Sequence, residues 1–321
     1  MPEGLHLAFW NVENLFDAET APRSEKLARV IGKDLIGWTS KQVEAKVRQL
    51  ARVITAMNDG RGPDILGVCE VENSLVLRSL VLAIRAAGGR TYRVARADTS
   101  DARGIDVAFL YDGKLAMTDR TQYFQHWVLK RYATRELFQV NFTVDDRTLV
   151  LVGNHWPSRS AGQYESEPFR IMAAETLAYW VERIHEIHGD DVALVVLGDF
   201  NDEPFSRALT DYALATASRD QVLHGRNRYL LNLMAPLAGA GLGSHHFDGR
   251  WNMLDQILVS RGLLTGTSGW QLAGAATIEG RDLMARPGSG APRRFGLGNG
   301  KNVDVKGFSD HFPVAVRLVG V

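Results

Sequence analysis

Apolar residues along this 321-residue chain cluster in short runs bounded by polar and turn-forming positions. LHLAFW from 5, DILGVCEV from 64, IDVAFLY from 105, LFQVNFTV from 137, TLVLVGNH from 148, DVALVVLG from 191, LDQILVS from 254 and PVAVRL from 313 read as buried strands. So many strands imply more than one sheet. Helical spacing is clearest from Ser40 to Asn58, where Val43, Val47, Leu50, Val53, Ile54 and Met57 make one apolar face, and Thr39 with Gln42 forms a capping box. A second helix is expected from Leu75 to Ala87, behind Asn73 or Ser74 and ending at Gly88-Gly89; a third runs from about Glu167 to His188 behind Ser166. Residues 218–250 and 279–309 carry no sustained periodicity and read as long loops, which in compact domains are usually functional. Few helices among many strands predict an α/β sandwich, and with no linker in sight the whole of 1–321 is taken as one domain.

Composition adds limits. With 45% hydrophobic and 23% charged residues the chain is of ordinary globular type. Lys plus Arg equals Asp plus Glu at 37 each, so a strong overall positive field for gripping nucleic acid is absent and any phosphate-binding surface must be local. Lys130-Arg131 and Arg293-Arg294 are the local basic pairs, for which a strand-tracking patch is the alternative and a solvated surface position is expected. A single cysteine, Cys69, excludes an intrachain disulfide and fits a reducing compartment. The strand-like run at Leu5 leaves no signal-peptide pattern, and no apolar run reaches the roughly 18–20 residues of a membrane span. A soluble, cytoplasmic protein is expected.

Five strand ends carry polar residues. FWNVENLFD offers Asn11 and Glu13. LGVCEVEN places Glu70 after a fully apolar run, where a carboxylate is costly unless paired, hydrogen-bonded or metal-bound. LVLVGNHWPSR presents His155, followed by Ser158 and Arg159 after a proline turn. VVLGDFND sets Asp199 and Asn201 two residues apart, facing the same way if the backbone there is extended. SDHFPV presents Ser309, Asp310 and His311 before the last strand, and Asp255 in WNMLDQILVS is a candidate to orient the His311 imidazole. Tandem His245-His246 precedes Asp255 in a loop, where lining of the pocket is the alternative and a surface position is expected.

Together and in this order, these motifs resemble the endonuclease/exonuclease/phosphatase superfamily, which includes pancreatic-type deoxyribonucleases, abasic-site endonucleases, bacterial sphingomyelinases and inositol polyphosphate phosphatases. The likeness spans residues 9–316, is carried mainly by GDFND and SDHFPV, and is nearest to bacterial members with NHWPSR and DQILVS patterns. It implies a four-layer α/β sandwich: two facing mixed sheets covered by helices, with the site where strand ends meet. It matches Asn11, Glu13 and Glu70 to the family's early Asn, nearby acid and metal-binding Glu, and Asp199 with Asn201 to the pair that positions water. Asp255, Asp310 and His311 match the terminal Asp and Asp-His, and His155 matches a histidine of the deoxyribonuclease-like and sphingomyelinase-like branches. Where abasic-site enzymes place a mid-chain tyrosine, this chain reads RGIDVAFLY with Arg103 nearby, which argues against abasic-site specificity.

The implied chemistry is phosphate-ester hydrolysis. Glu70 is assigned as a ligand of Mg²⁺ or Mn²⁺, with Glu13 and Asp310 completing the shell directly or through water. Asp199 orients or deprotonates the water. His311 and His155 divide the roles of general base, phosphate clamp and leaving-group donor in an order the sequence leaves open. Asn11 and Asn201 bond the phosphate or hold the acids, and Arg159, with Ser158, Arg103 and Arg170, meets the substrate. A nuclease acting on nucleic acid is the leading expectation, with hydrolysis of a small phosphorylated or lipid-headgroup substrate as the alternative. A non-catalytic binding module would lack Glu70, Asp199 or His311, and all three are present.

Overall fold

The computed structural model describes residues 4–115, 123–129, 134–297 and 303–321; Lys130 and Arg131 lie outside them. Its first strands are β1 (Leu5–Leu15), β2 (Ile65–Val71), β3 (Tyr92–Arg96), β4 (Asp106–Asp112) and β5 (Tyr123–His126). Next come β6 (Leu137–Val144), β7 (Arg147–His155), β8 (Ala193–Asp199), β9 (Ala215–Thr216) and β10 (Leu230–Asn232). The last are β11 (His245–Phe247), β12 (Arg250–Asn252), β13 (Asp255–Val259), β14 (Trp270–Ile278) and β15 (Val314–Gly320). One sheet has six strands in the order β14-β15-β1-β2-β4-β3, and the other has seven in the order β5-β6-β7-β8-β13-β10-β9. Both are mixed: β1–β2 and β7–β8 pair parallel, whereas β1–β15 and β8–β13 pair antiparallel.

Strand alternation assigns each face to a different core. Leu7 and Phe9 of β1 pack between the sheets with Phe109, Phe138, Leu151, Leu197 and Val316. Ala8 and Trp10, pointing the other way, join Val43, Val47, Leu50 and Leu77 from the helices Ser40–Gly60 and Ser74–Ala86. Across the sandwich, Val150, Val152, Leu194 and Val196 meet Ala173, Leu177 and Val181 of a 26-residue helix, Gln163–His188. Burial on both faces is why the central strands read as continuous apolar runs rather than alternating ones. At roughly 25 cal/mol per Å² this burial is the main stabilising term. Gly153 lets the sheets approach, since a Cβ there would lie 2.6 Å from Val107 of the facing sheet, and Gly67 makes room for its strand neighbour, a Cβ there lying 2.6 Å from the Phe9 ring.

Several expectations need correction. The long helix begins at Gln163 behind Gly162 (φ 107), not behind Ser166, whose hydroxyl donates back to the Gly162 carbonyl from within the first turn. The helix Ser40–Gly60 leaves helical geometry at Met57–Asp59, where Asn58 and Asp59 have positive φ. Residues 218–250 are not a continuous loop: they hold helices Arg219–His224 and Ala235–Gly239, strand β10 and the β11–β12 hairpin. That hairpin turns through Asp248 and Gly249, both at positive φ, as a tight two-residue connection requires. His245 and His246 therefore stand on a strand. Residues 279–309 match the expectation better, with one helical turn, Arg281–Met284, among the described residues. No described helix is long and apolar enough to cross a membrane.

Candidate active site

Strand register gathers the candidate residues at one end of the sandwich. His155 ends β7 directly beside Asp199 at the end of β8, and Asp255 at the start of β13 faces Asp199 from the other side. Directly paired residues share a face, so these three side chains project together. On the opposing sheet, the β1–β2 ladder breaks after Asn11 and Cys69. Glu13, Asn14 and Glu70 there adopt φ of 54, 51 and 65. Positive φ is uncommon for non-glycine residues and costs on the order of 1–3 kcal/mol, so adjacent strand ends are bent at a cost that turns polar side chains toward the facing sheet.

Asp199 lies at the centre. Its Oδ2 accepts from Asn11 Nδ2 at 3.0 Å, and lies 3.9 Å from His155 Nε2 and 4.0 Å from His311 Nε2. The two imidazoles are beyond hydrogen-bond range, yet both direct Nε2 toward one carboxylate oxygen. Asn11 Nδ2 also reaches Glu70 Oε1 at 3.3 Å, and that oxygen is 3.7 Å from His155 Nε2. Glu70 Oε2 accepts from the Asn14 amide at 2.8 Å. The Asp199–Asn201 relation differs from the extended geometry expected. The strand ends at Asp199 and Asn201 has φ 49, so the chain folds back: the Asn201 amide donates to Asp199 Oδ1 at 2.8 Å, and its side chain donates to the Trp156 carbonyl.

His311 is the most heavily buttressed group. Its Nδ1 is 2.6 Å from Asp255 Oδ2, which also accepts from Ser244 Oγ at 2.6 Å. The His311 amide donates to Ser309 Oγ, and that hydroxyl donates to the Asn11 carbonyl. Burial opposes charge on His311, but Asp255, Asp199 and Asp310 outweigh it and hold the imidazolium well above its ordinary range. His155 behaves oppositely: burial, with Arg135, Arg103 and His311 adding, pushes it well below that range. Burial, reinforced by Asp255 and opposed by His311, lifts Asp199 to about 7. Burial with Glu13 and Glu70, opposed by His311 and Arg294, lifts Asp310 to about 6. Asp199, Asp255 and His311 offer ligand atoms all within 4.8 Å of one another, a group able to hold a metal.

The remaining candidates separate into those at the centre and those that support it. Glu13 is buried with its carboxylate engaged: Arg294 Nε donates at 2.8 Å, the Phe295 and Gly296 amides at 2.9 and 3.2 Å, and Lys46 Nζ is 3.6 Å away. Arg103 Nη2 donates to Asn14 Oδ1 at 2.6 Å. Arg159 donates to the Asn201 carbonyl and to Asp202, and reaches Asn252 at 3.5 Å. Arg170 is fully buried, and its donors go to Asp202, Ser166 and the Gln163 carbonyl; it braces the loop after Asn201 and presents no donor outward. Ser158 is exposed and caps the turn Arg159–Ala161.

Sequence reasoning missed several neighbours. His245 bridges to His311 with ring centroids 4.6 Å apart, and burial with the charges of His311, Arg294 and Arg159 drives its pKa down to about 3. Arg294 is exposed, as expected, and in addition pairs with Glu13 and approaches Asp310 at 3.8 Å. Arg135 donates to the Trp156 carbonyl. Lys46 is buried beneath the acids and donates to the Glu13 carbonyl at 2.6 Å. Only Lys46 left a clear sign: a lysine standing in register with Val43, Val47 and Leu50 on an apolar helix face.

Comparison with known proteins follows the same lines. The model of the Endonuclease/Exonuclease/phosphatase family matches residues 6–319. Among solved structures, an endonuclease/exonuclease/phosphatase family protein from Bacteroides thetaiotaomicron aligns over 100% of this chain and 99% of its own, with TM-score 0.58 and 15% identity. A mannosyl-6-phosphatase from the same organism aligns over 98% and 99%, with TM-score 0.58 and 15% identity. Truncated TDP2 from Caenorhabditis elegans aligns over 98% and 97%, with TM-score 0.58 and 14% identity. At these identities the likeness is one of fold. A search of curated protein sequences finds no match. The end-to-end family match, on a sandwich of two mixed sheets, shows that the chain belongs to the endonuclease/exonuclease/phosphatase family of phosphoesterases.

Proposed function

We propose that this protein hydrolyses phosphodiester bonds with a divalent cation, and that its substrate is a nucleic acid. The observation that carries the reading is the convergence of Asn11, His155 and His311 on Asp199 Oδ2, with Glu70 alongside. A phosphoryl group placed among these side chains meets donors on several sides and a carboxylate able to aim a water at phosphorus.

The donor set fits a hard cation. Glu70 and Asp310 supply oxygen ligands, and Glu70 helps to lift the Asp310 pKa, as crowded carboxylates do until a cation joins them. We assign Glu70 and Asp310 to hold it, Mg²⁺ or Mn²⁺ by ligand hardness. Glu13, already bound to Arg294 and two amides, shapes the charge behind them. When bound, the cation neutralises developing charge on the phosphoryl and leaving oxygens. Asp199, held by Asn11 and the Asn201 amide, orients the water and draws its proton. His311, kept cationic and fixed by Asp255, binds a phosphoryl oxygen through Nε2. His155 stands on the opposite flank and serves the leaving side.

Under this assignment the compact Asp199–Asp255–His311 group is proton-handling rather than ligating, because Asp255 Oδ2 and His311 Nδ1 are already bonded to each other. The alternative is a phosphatase of small phosphorylated molecules, in line with the mannosyl-6-phosphatase fold likeness. A panel of single-stranded DNA, duplex DNA, RNA, sphingomyelin, inositol phosphates and mannose 6-phosphate with Mg²⁺ or Mn²⁺ separates the two. Cleavage of a polynucleotide is expected; turnover of monoesters alone would replace this reading with the phosphatase.

A further inference from the structure

His245 enters the centre on the β11–β12 hairpin and has no part in the chemistry assigned above. Its backbone bridges to His311 in antiparallel register, and residues paired in this way project their side chains together. The two rings accordingly meet, with centroids 4.6 Å apart and planes inclined by 40°.

That contact supplies something that the polar neighbours of His311 do not. Asp255 fixes the place of Nδ1 at 2.6 Å, but χ2 of a histidine is a soft torsion, and one hydrogen bond leaves open the tilt of the ring about the bonded atom. The other nitrogen has no such anchor: Nε2 is 4.0 Å from Asp199 Oδ2, beyond hydrogen-bond range. A ring packed against the imidazole limits that tilt.

Charge suits the contact. Burial, and then His311, Arg294, Arg159 and His246, lower the His245 pKa to about 3, so the ring that meets the His311 imidazolium is neutral rather than a second cation. His245 Nδ1 is buried without a hydrogen-bond partner among the described residues, so at that atom the side chain contributes surface and no hydrogen bond. Nor is the ring needed to anchor the hairpin. The Phe312 amide donates to the Ser244 carbonyl at 2.7 Å, the Met253 amide donates to Glu203 at 3.1 Å, and Trp251 stacks on Phe312 with centroids 6.1 Å apart.

We propose that His245 is a positioning residue for His311: its ring sets the tilt of the His311 imidazole and so aims Nε2 at the phosphoryl oxygen. This rests on the role given to His311 above and adds the group that keeps it aimed. His245→Phe would keep the ring contact and leave no buried nitrogen unpaired, whereas His245→Asn would keep a polar group and lose the ring.

The test compares steady-state hydrolysis of bis(p-nitrophenyl) phosphate and p-nitrophenyl phosphate with Mg²⁺ or Mn²⁺, with thermal melts as a folding control. The proteins are wild type, His245→Ala, His245→Phe, His245→Asn, His311→Ala and the His245→Ala/His311→Ala pair. His245→Ala and His245→Asn are expected to lower kcat on the order of tenfold with a smaller effect on KM, and His245→Phe to recover the rate to within about threefold of wild type. With His311 gone there is nothing left to aim, so adding His245→Ala to His311→Ala should cost nothing further. If His245→Ala melts early, the Phe and Asn variants decide by themselves. An Asn variant at or above the rate of the Phe variant would make the nitrogen, not the ring, the working group. Wild-type rates in all three single variants, or additive losses in the pair, would reduce His245 to hairpin packing. Each of these results overturns the positioning role. Because His311 meets a phosphoryl oxygen in a diester and a monoester alike, the inference survives a change of substrate class; hydrolysis of neither ester by wild type would defeat the hydrolytic reading and this inference together.

Discussion

His311 Nδ1 lies 2.6 Å from Asp255 Oδ2, and both side chains are buried where the two sheets meet. The contact holds the imidazolium in orientation and turns its Nε2 toward Asp199. The pair should therefore act as one device. Asp255→Asn is expected to cost much of what His311→Ala costs, each on the order of 10²–10⁴-fold in kcat/KM, with the double variant little worse than either. Rates for the two single variants and the double variant decide it, since additive losses would show two independent groups.

His155 differs from His311 by being kept neutral in the resting protein, by burial first and then by Arg135 and Arg103. If it serves the leaving oxygen by donating a hydrogen bond from its neutral ring, His155→Ala should slow alkyl phosphodiesters by about 10²-fold or more while sparing aryl ones, whose leaving groups carry the negative charge unaided. Matched losses on both substrate types would instead make it an electrostatic clamp.

The cation site carries a pH signature. Asp310 is lifted to about 6 and Asp199 to about 7, both from 3.8, so the folded protein holds these protons more tightly than the unfolded chain does. Their contribution to stability is complete at low pH and is lost as pH rises through the folded values. A divalent cation held by Asp310 competes with the Asp310 proton, so the Tm gain from added Mg²⁺ or Mn²⁺ should grow from about pH 5 to about pH 8. Glu70→Gln should shrink that gain. A gain that stays constant across the range would place the cation elsewhere.

Arg170 was expected at the substrate, and its burial against Asp202 predicts a different phenotype. Arg170→Met leaves Asp202 buried with Arg159 as its remaining partner, and should cost about 3–5 kcal/mol of stability. Urea denaturation measures this; an unchanged midpoint would return Arg170 to the substrate surface.

The central strands and the motifs at their ends were legible because burial on both faces leaves few polar positions, so Glu70, His155, Asp199 and His311 stand out. Their relative placement was less so. Asp199 and Asn201 read as an extended pair, but the positive φ of Asn201 turns the chain into a loop that only neighbouring strands specify. The β11–β12 hairpin was hidden because its strands are three residues each, although Asp248-Gly249 is a hairpin signal. His245 and Arg294 reach the centre through tertiary contacts that no local period records. Arg170 shows the converse, a cation with a plausible sequence position whose partners are all internal.

The most direct test of the account is hydrolysis of bis(p-nitrophenyl) phosphate by wild type and Asp199→Ala, each stripped with chelator and then resupplied with Mg²⁺ or Mn²⁺. Wild-type turnover should vanish on chelation and return with the cation, while Asp199→Ala should remain at least about 10²-fold slower throughout. Full wild-type activity in excess chelator, or equal rates in the two proteins, would contradict a cation-assisted phosphodiesterase centred on Asp199.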